Sequence, residues 1–419
     1  MNAIELVKNK KPLGKAILRE TVNGYLSGAV SKERMTEFLR AVCDNGLSDE
    51  DVTYLTEVMV ESGERLCFTP RKYPYADKHS TGGVSDTTTL IVAPIVASSG
   101  VPFLKMSGRR LGHTGGTIDK LECFKGLKTE MSVEEAERIV DKVGAAIIAQ
   151  TKELVPADKA MYKLRDETGT VKSLPLIASS VVSKKLASGA EVFVLDVKTG
   201  CGAFMETPED ARALAKLMVR ILKTSGKKAA AVISDMNSPL GDGVGGVMEV
   251  IDAIEVLEGK KGRLRDLALL IAGRLISLAK GVSEEEGQRQ AESLLDGGMA
   301  INKLKEIVAA EGGALDLFQK ETREDIYAQR AGVVRAEKDG CVSAIDCVKL
   351  GFLAREYENG GGYGMIVPVK VGSTVKKGDV LVSVYGQEAK DDTLHALSEC
   401  FSVTENKVKT NPLIYEIVT

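Results

Sequence analysis

The feature that most constrains the fold is a recurring order of strand, glycine-rich loop and helix that begins near Lys78. Short apolar runs such as VPFLKM, AAIIAQ and EVFVLDVKTG alternate with helical stretches such as TTLIVAPIVASSG and TPEDARALAKLMVRILKTSG. This alternation is typical of parallel strands, because each helix carries the chain back to the start of the next strand. The sequence therefore predicts an α/β fold with a central mixed, largely parallel sheet.

Other patterns flank this region. Residues 1–65 and 155–188 carry apolar side chains at the three-to-four spacing of helices, whereas residues after 330 alternate apolar and polar side chains around glycine turns. We predict a small all-helical lobe from 1–65 and 155–188, a large α/β lobe from 73–150 and 190–330, and a β-rich C-terminal α+β subdomain from 331–419. Polar side chains are predicted to cap four helices: Ser48 or Asp49, Ser132 (with Glu135 in a capping box), Ser173 and Thr207.

Composition excludes several classes of function. The 419 residues carry a net charge of −3 and no Trp, so neither a basic field nor a stacking platform for nucleic acid is expected. No apolar run is long enough to cross a membrane, and the first residues lack a signal-peptide core. Seven scattered cysteines without a CxxC pair are typical of reduced thiols. We expect a cytoplasmic protein that contacts neither nucleic acid nor membrane.

Two loops contain the same types of residue. KHSTGGVSDTTT supplies Lys78, Ser80 and paired glycines, and KMSGRRLGHTGGT supplies Lys105, Ser107, Thr117 and paired glycines. Cations, hydroxyls and exposed backbone N–H groups are what a phosphate binds, and neighbouring strands can bring two such loops onto one anion. The alternative is a pair of tight turns with solvated polar neighbours. Neither loop fits GxxxxGK[ST] or GxGxxG, so nucleoside triphosphate and dinucleotide sites are not favoured.

Other candidate residues have two interpretations each. His79, beside Lys78, is predicted to be a neutral hydrogen-bond donor, because a neighbouring cation lowers a histidine pKa. His113 either contacts substrate or packs its loop, and His395 is interpreted as structural or exposed. Ser180 and Lys184 share one helix face, which suits either a polar heterocycle or solvent. Arg165 is a candidate ligand or a surface partner of Asp166.

The second loop carries a family resemblance. SGRRLGHTGGTIDKLE, from Ser107, resembles the signature of the thymidine and pyrimidine-nucleoside phosphorylase family and departs from it only at Arg110. DKHSTGGVSDTTTL resembles the family's first loop, with Ser85 in place of an expected glycine. VLDVKTGCGAFM and the stretch from Thr151 to Gly189 also match, so the likeness covers essentially the whole chain.

The resemblance implies an enzyme for reversible phosphorolysis of uridine, thymidine and deoxyuridine, in which phosphate attacks the anomeric carbon and the base leaves. A thymidine-selective phosphorylase is the alternative, although Lys105-Met106-Ser107 is similar to members that accept both nucleosides. Inorganic phosphate is the co-substrate, and no organic cofactor is expected. The positions similar to phosphate ligands are Lys78, Ser80, Thr89, Lys105, Met106, Ser107 and Thr117. Those similar to base ligands are His79, Leu111, Arg165, Ser180 and Lys184, of which His79, Arg165 and Lys184 are the expected catalytic residues.

The resemblance also implies a homodimer that pairs through the helical lobe. Some relatives hold a structural K⁺ or Ca²⁺ ion, and the matching positions are Ser85, Thr87, Leu240, Gly243 and Asp252, the last standing where a glutamate is expected. Two other functions stay open. A phosphoribosyl transferase would need acidic Mg²⁺ ligands, for which Asp86 and Asp119 are the candidates. A non-enzymatic nucleoside-binding protein would result if Arg110 or Ser85 disabled the site.

Overall fold

The computed structural model describes residues 2–109, 112–150 and 154–419. Its helices, numbered in chain order, are α1 Ala3–Lys8, α2 Gly14–Ser27, α3 Lys32–Asn45, α4 Asp49–Glu61, α5 Thr88–Ser98, α6 Thr117–Leu121, α7 Val133–Val143, α8 Pro156–Thr168, α9 Leu174–Ala187, α10 Pro208–Thr224, α11 Gly246–Leu257, α12 Arg263–Lys280, α13 Glu284–Asp296, α14 Met299–Ala310, α15 Lys320–Ala328, α16 Cys347–Asn359 and α17 Asp391–Ser398. A short 3₁₀ turn covers Asp316–Phe318.

The strands are β1 Ala76–Ser80, β2 Phe103–Ser107, β3 Ala145–Ala149, β4 Val192–Thr199, β5 Lys228–Asp235, β6 Gly243–Val244, β7 Arg330–Arg335, β8 Gly340–Ile345, β9 Gly364–Ile366, β10 Thr374–Val375, β11 Val380–Tyr385, β12 Phe401–Thr404 and β13 Ile414–Val418. Six of them form the main sheet in the order β13-β5-β4-β1-β2-β3. All neighbours in this sheet are parallel except β13, which runs antiparallel to β5. The predicted mixed, largely parallel sheet is confirmed.

Burial explains why β4, a central strand, begins with a continuous apolar run, Val192–Leu195. Every residue of β4 is buried, because helices cover both faces of the sheet. The first ten residues of α5 are also buried, and α12 and α14 pack against this helix. On the opposite side α10 packs on β4 and β5. The strongly apolar composition of α5 is therefore that of a helix enclosed on all sides.

Helices α1–α4, α8 and α9 lie together, as the predicted all-helical lobe requires, with α4 packed on α9 and α2 packed on α4. Three of the predicted caps are confirmed: the hydroxyls of Ser48, Ser132 and Thr207 accept hydrogen bonds from the N–H groups three residues later. Ser173 is the N-cap residue of α9, as predicted, but its side chain makes no capping hydrogen bond. Pro175 lies in the first turn of the helix.

The C-terminal region forms two small sheets, β10-β8-β12 and β6-β9-β11-β7. Strand β6 comes from residues 243–244, within the predicted α/β lobe, and β13, from the predicted C-terminal subdomain, completes the main sheet. The two regions therefore exchange strands across the boundary that the sequence pattern suggested. The exact domain limits stay a prediction.

Two of the segments that join the helical lobe to the main sheet run side by side. The N–H of Leu66 donates to the carbonyl of Ala187 at 2.9 Å, and the N–H of Glu191 donates to the carbonyl of Tyr75 at 2.9 Å. The connection that leaves α4 is thus hydrogen-bonded to the connection that leaves α9.

All seven cysteines are free thiols. Within the described ranges, no helix combines the length and the apolar character that crossing a membrane requires.

Candidate active site

Strands β1 and β2 end side by side, and each ends in the pattern Lys-x-Ser. The two strands are parallel with Ala76 opposite Phe103, so Lys78 and Lys105 stand at matching positions two residues further along. The sequence predicts that Lys78 to Ser80 begin a loop, but they are the last three residues of β1. The repeated residue types therefore arise because two neighbouring strands present the same chemistry at one edge of the sheet.

A cavity of about 690 Å³ opens at this edge and extends to α8 and α9 of the helical lobe. It includes every described residue predicted to bind phosphate or base. These residues are Lys78, His79, Ser80, Thr89, Lys105, Met106, Ser107, Thr117, Arg165, Ser180 and Lys184. The predicted base-site residue Leu111 and its neighbour Arg110 lie outside the described residues.

The floor of the cavity contains more ammonium groups than carboxylates to pair with them. Asp77 is fully buried, and its two oxygens lie 2.6 Å from Nζ of Lys185 and 3.7 Å from Nζ of Lys105. The Lys105 ammonium also donates to the Lys78 carbonyl at 2.5 Å. Burial, and then Lys185, lower the pKa of Lys105 to about 7, although Asp77 opposes the shift. One carboxylate thus serves two cations.

Lys78 is held in a second buried network. Its ammonium donates to the hydroxyl of Thr88 and lies 3.8 Å from Oδ1 of Asp86. Burial lowers the pKa of Lys78, and the neighbouring carboxylates oppose that shift. Asp86 resists protonation despite its burial, because Lys198 and Lys78 hold its pKa well below the usual range. Lys198 lies 3.5 Å from Asp86, so this carboxylate is already neutralised by lysines rather than open to Mg²⁺.

The hydroxyls around this floor are small and differ in their partners. Ser80 donates to Oδ2 of Asp86 at 2.6 Å and accepts from the N–H of Gly82 at 3.3 Å. Thr89, the residue after the Lys78 partner Thr88, is buried at the start of α5 and lines the cavity. Thr117 is the first residue of α6 and lines the same wall. These groups surround the surplus ammonium charge with hydroxyl donors.

His79 lies between the cationic floor and the helical lobe. Its Nε2 is buried and has no hydrogen-bond partner among the described residues. Burial, followed by Lys185 and Lys105, keeps the pKa of His79 well below its ordinary value. The imidazole is therefore neutral near pH 7 and carries one N–H donor. The sequence suggested this from Lys78 alone, whereas the structure adds burial and Lys185 as the larger causes.

The opposite wall carries Ser180 and Lys184 on α9. The Lys184 ammonium donates to Oδ2 of Asp158 and, at 3.2 Å, to Oγ of Ser180. Oδ1 of Asp158 is buried and has no partner in the described chain, and Asp158 also lines the cavity. The alternative of a solvated helix face is wrong: Ser180 and Lys185 are both buried. Ser180 and Lys184 instead belong to a cavity wall that combines polar residues such as Asp158 and Arg165 with apolar ones such as Ile177.

Arg165 is not a surface partner of Asp166. Its side chain is 2% exposed, and its guanidinium donates to the carbonyls of Thr170, Val171 and Leu176 at 3.4, 2.8 and 3.0 Å. Three of the five N–H donors of the group are therefore engaged by the turn between α8 and α9 and by the first turn of α9. Arg165 shapes the cavity wall as well as lining it.

His113 takes the packing role that the sequence left open. Its Nε2 lies 3.0 Å from the carbonyl of Gly202, and its ring lies 6.0 Å from those of Phe204 and Phe352. It thus joins the second loop to the segment after β4 and to α16. His395 is an exposed residue of α17.

Of the five residues implied for a cation, Ser85, Gly243 and Asp252 come together, and the Gly243 carbonyl and the Asp252 carboxylate are engaged within the chain. Ser85 donates its hydroxyl to the Gly243 carbonyl, and both Asp252 oxygens accept hydrogen bonds. Leu240 is held through its N–H to the Val84 carbonyl at 3.1 Å. Of the five, Thr87 alone has a buried hydroxyl without a partner in the described residues. One orphaned hydroxyl does not fit the set of oxygens that a hard cation requires.

Comparison with known proteins decides the family. Residues 72–301 match the family model described as "Glycosyl transferase family, a/b domain", and residues 1–63 match "Glycosyl transferase family, helical bundle domain". A pyrimidine-nucleoside phosphorylase of Geobacillus stearothermophilus is 39% identical, and the match covers 100% of both chains. The one of Bacillus subtilis is 40% identical over 98% of both. The chain belongs to the pyrimidine-nucleoside phosphorylase family.

As a member of this family the protein is an enzyme, a glycosyltransferase, and the interpretation as an inactive binding protein is set aside. A solved structure with a related fold is anthranilate phosphoribosyltransferase from Thermus thermophilus, which superposes with a TM-score of 0.61 at 22% identity over 75% of this chain and 100% of that one. This likeness supports the helical-plus-α/β architecture. The phosphorylase membership rests instead on the full-length relatives.

The structure also brings forward site residues that sequence patterns did not single out. Asp77 and Lys185 form the shared ion pair of the floor, and Asp158 holds Lys184. In the sequence, the adjacent lysines Lys184 and Lys185 favour the interpretation that this side of the helix faces solvent. Apolar residues are spread around α9 rather than confined to one face: Leu176 is buried on one side of the helix, and Ala178 and Val182 are buried on the other. This spread was the available signal that the helix is enclosed.

Proposed function

We propose that the protein catalyses the reversible phosphorolysis of pyrimidine nucleosides, including uridine, thymidine and deoxyuridine. The products are the free base and ribose or deoxyribose 1-phosphate. The observation that carries the proposal is Asp77, one buried carboxylate that serves both Lys105 and Lys185. Two cations that share one carboxylate leave positive charge that a bound phosphate would neutralise. Sequence relatives named as pyrimidine-nucleoside phosphorylases support the same assignment.

Phosphate in this proposal binds where β1 and β2 end, with Lys78 and Lys105 as its cations and Ser80, Ser107 and Thr117 as hydroxyl donors. Thr89 and Met106 complete the wall. An oxygen of phosphate attacks the anomeric carbon as the bond from that carbon to N1 of the base breaks. The electron pair of the broken bond leaves with the base, whose N1 then takes up a proton in place of the one that the attacking hydrogenphosphate gives up. The nucleophile also stabilises the positive charge that develops on the sugar.

The base in this proposal lies against α8 and α9. Negative charge that develops on the leaving pyrimidine is spread over its carbonyl oxygens, so donors at that edge lower the barrier. Lys184 supplies an ammonium group from this wall and Ser180 a hydroxyl, and neutral His79 offers an N–H from the floor side. Arg165 has two further N–H donors beyond those that bind the turn. No covalent intermediate with the enzyme is involved.

The two sets of ligands belong to different lobes. Approach of the lobes would shorten the path from phosphate to the anomeric carbon and exclude water, which favours phosphorolysis over hydrolysis. Homodimerisation through the helical lobe is part of the same proposal and rests on the family resemblance alone.

The test follows base release from uridine and from thymidine, each with and without inorganic phosphate. We expect release only when phosphate is present, with the pentose 1-phosphate identified by ³¹P NMR. Sulfate at equal ionic strength serves as the control for a general salt effect. Base release that does not need phosphate would indicate a hydrolase and refute the proposal, as would the absence of release from both nucleosides. Turnover of thymidine alone would replace the broad substrate range with a thymidine-selective one.

A further inference from the structure

The family resemblance implies a cation beside segment 238–244. This segment connects β5 to β6 and passes beside Ser85 and the start of α11. A hard cation at this place would gather backbone carbonyls and one carboxylate. In this chain, oxygens of that kind instead accept hydrogen bonds from the protein's own side chains.

Ser85 is the first sign of this replacement. It is 1% exposed and has a φ of 60°, in the left-handed region where a residue other than glycine is strained. Its hydroxyl donates to the Gly243 carbonyl and accepts from the N–H of Gly241 at 3.1 Å. Those two hydrogen bonds give a physical reason for a serine at a position that favours glycine. The hydroxyl engages a carbonyl oxygen that the cation would otherwise bind.

Lys260 is the second sign. Its ammonium lies 2.7 Å from Oδ1 of Asp252 and 3.0 Å from Oδ2 of Asp242. Asp252 is 2% exposed, and its other oxygen accepts from the N–H groups of Asp242 and Gly243 at 2.8 and 3.2 Å. The buried carboxylate is therefore neutralised by a lysine and saturated with hydrogen bonds. Asp252 is one methylene shorter than the glutamate expected there.

Lys370 is the third sign, and it comes from the C-terminal region. Its ammonium donates to the carbonyls of Gly241 and Val367 at 2.8 and 3.0 Å and to Oδ1 of Asp242 at 3.0 Å. A bound metal ion would be surrounded by backbone carbonyls and a carboxylate oxygen in the same way. Here the Lys370 ammonium group occupies that position. Asp242 is shared between Lys260 and Lys370.

We infer that this chain carries its own cations in place of a bound ion: Lys260 and Lys370, with the Ser85 hydroxyl, hold segment 238–244, and the fold needs no K⁺ or Ca²⁺. The inference concerns stability and does not depend on which nucleoside the enzyme uses. Its failure would leave the proposed phosphorolysis untouched, because the two are measured by different quantities.

The experiment measures thermal unfolding of the full chain after dialysis against a chelator. Solutions contain potassium chloride, tetramethylammonium chloride of equal ionic strength, or the latter with added calcium chloride. Variants are Lys260→Met, the double variant S85G/K260M, and Lys261→Met as the matched control. Lys261 is adjacent in sequence, but its side chain is 69% exposed. Metal content after gel filtration is measured in parallel.

For the wild-type chain we expect the same melting temperature in all three solutions and no stoichiometric metal. Lys260→Met is expected to have a lower melting temperature than Lys261→Met. The double variant is expected to melt about 2 °C higher in potassium chloride than in tetramethylammonium chloride, because K⁺ can bind the oxygens that the substitutions leave without a partner. A saturable rise of the wild-type melting temperature with K⁺ or Ca²⁺, or one bound ion per chain, would overturn the inference. So would a Lys260→Met variant as stable as its control. If that variant does not fold, the wild-type titration alone decides.

Discussion

Replacing Lys105 by methionine tests the idea that the site, in the absence of phosphate, is strained by its own charge. Lys105 is 4% exposed and shares Asp77 with Lys185. Its pKa falls from 10.5 to about 7, first because of burial and then because of Lys185. Methionine has a similar shape and no charge. We therefore expect Lys105→Met to stabilise the phosphate-free protein at neutral and acidic pH.

The magnitude follows from the pKa shift. A drop of about 3.5 units at 1.36 kcal/mol per unit means that holding the charged form in the folded state costs about 5 kcal/mol. The variant loses the hydrogen bond to the Lys78 carbonyl, worth about 1–3 kcal/mol, so the net gain is about 2–4 kcal/mol. The sign depends on pH. Because the unfolded chain binds more protons between pH 7 and 10.5, the destabilisation by Lys105 is complete below pH 7 and vanishes towards pH 10.5. Near the upper limit the variant becomes the less stable protein.

The assay is urea unfolding followed by circular dichroism at pH 6, 7, 8 and 9, without phosphate and with it. Lys320→Met, whose side chain is 77% exposed, is the control for removing a surface lysine. Phosphate should stabilise the wild-type protein and have less effect on Lys105→Met. A variant less stable than wild type at pH 6, or a stability difference that does not change with pH, would refute the reasoning.

Four further outcomes are expected. His79→Ala should lower kcat/KM about 100-fold, and His79→Gln less, since its amide N–H still donates; equal losses would contradict the donor role. Lys184→Ala should lower kcat/KM about 100- to 1000-fold with an unchanged circular dichroism spectrum, whereas activity near wild type would remove Lys184 from the base site. A hydrogen bond from Cys347 lowers the pKa of Cys201 to about 7, so alkylation of Cys201 by iodoacetamide should reach half its maximal rate near pH 7, and at a higher pH in Cys347→Ala. Light scattering should give the mass of a dimer, and a monomer mass would contradict the proposed pairing.

The sequence was sufficient for features that depend on local pattern. Alternating strands and helices predicted the parallel sheet, and Thr207 predicted the start of α10. The lysines and serines repeated in the two loops predicted that these side chains meet at one edge of the sheet, because parallel neighbours end at the same edge; the anion that they bind is part of the proposed function. All of these follow from residues close together in the chain, where spacing carries the information.

Features that depend on contacts between residues far apart in the chain could not be predicted from the sequence. Asp77 and Lys185 are 108 residues apart, and nothing near either residue indicates the other. The engagement of Arg165 by three carbonyls depends on how one turn folds back, which residue type alone does not specify. Strand β13 joins the main sheet although it follows a run of C-terminal strands. Its pairing with the edge of β5 depends on tertiary contacts, which the local sequence pattern does not specify.

The paired connections between the lobes have a mechanical consequence. The segments around Leu66 and Ala187, and around Tyr75 and Glu191, are bonded to each other rather than spread around the junction. Movement of one wall of the cavity against the other therefore has to carry both connections together, and it also has to shift α9 along α10, on which it packs.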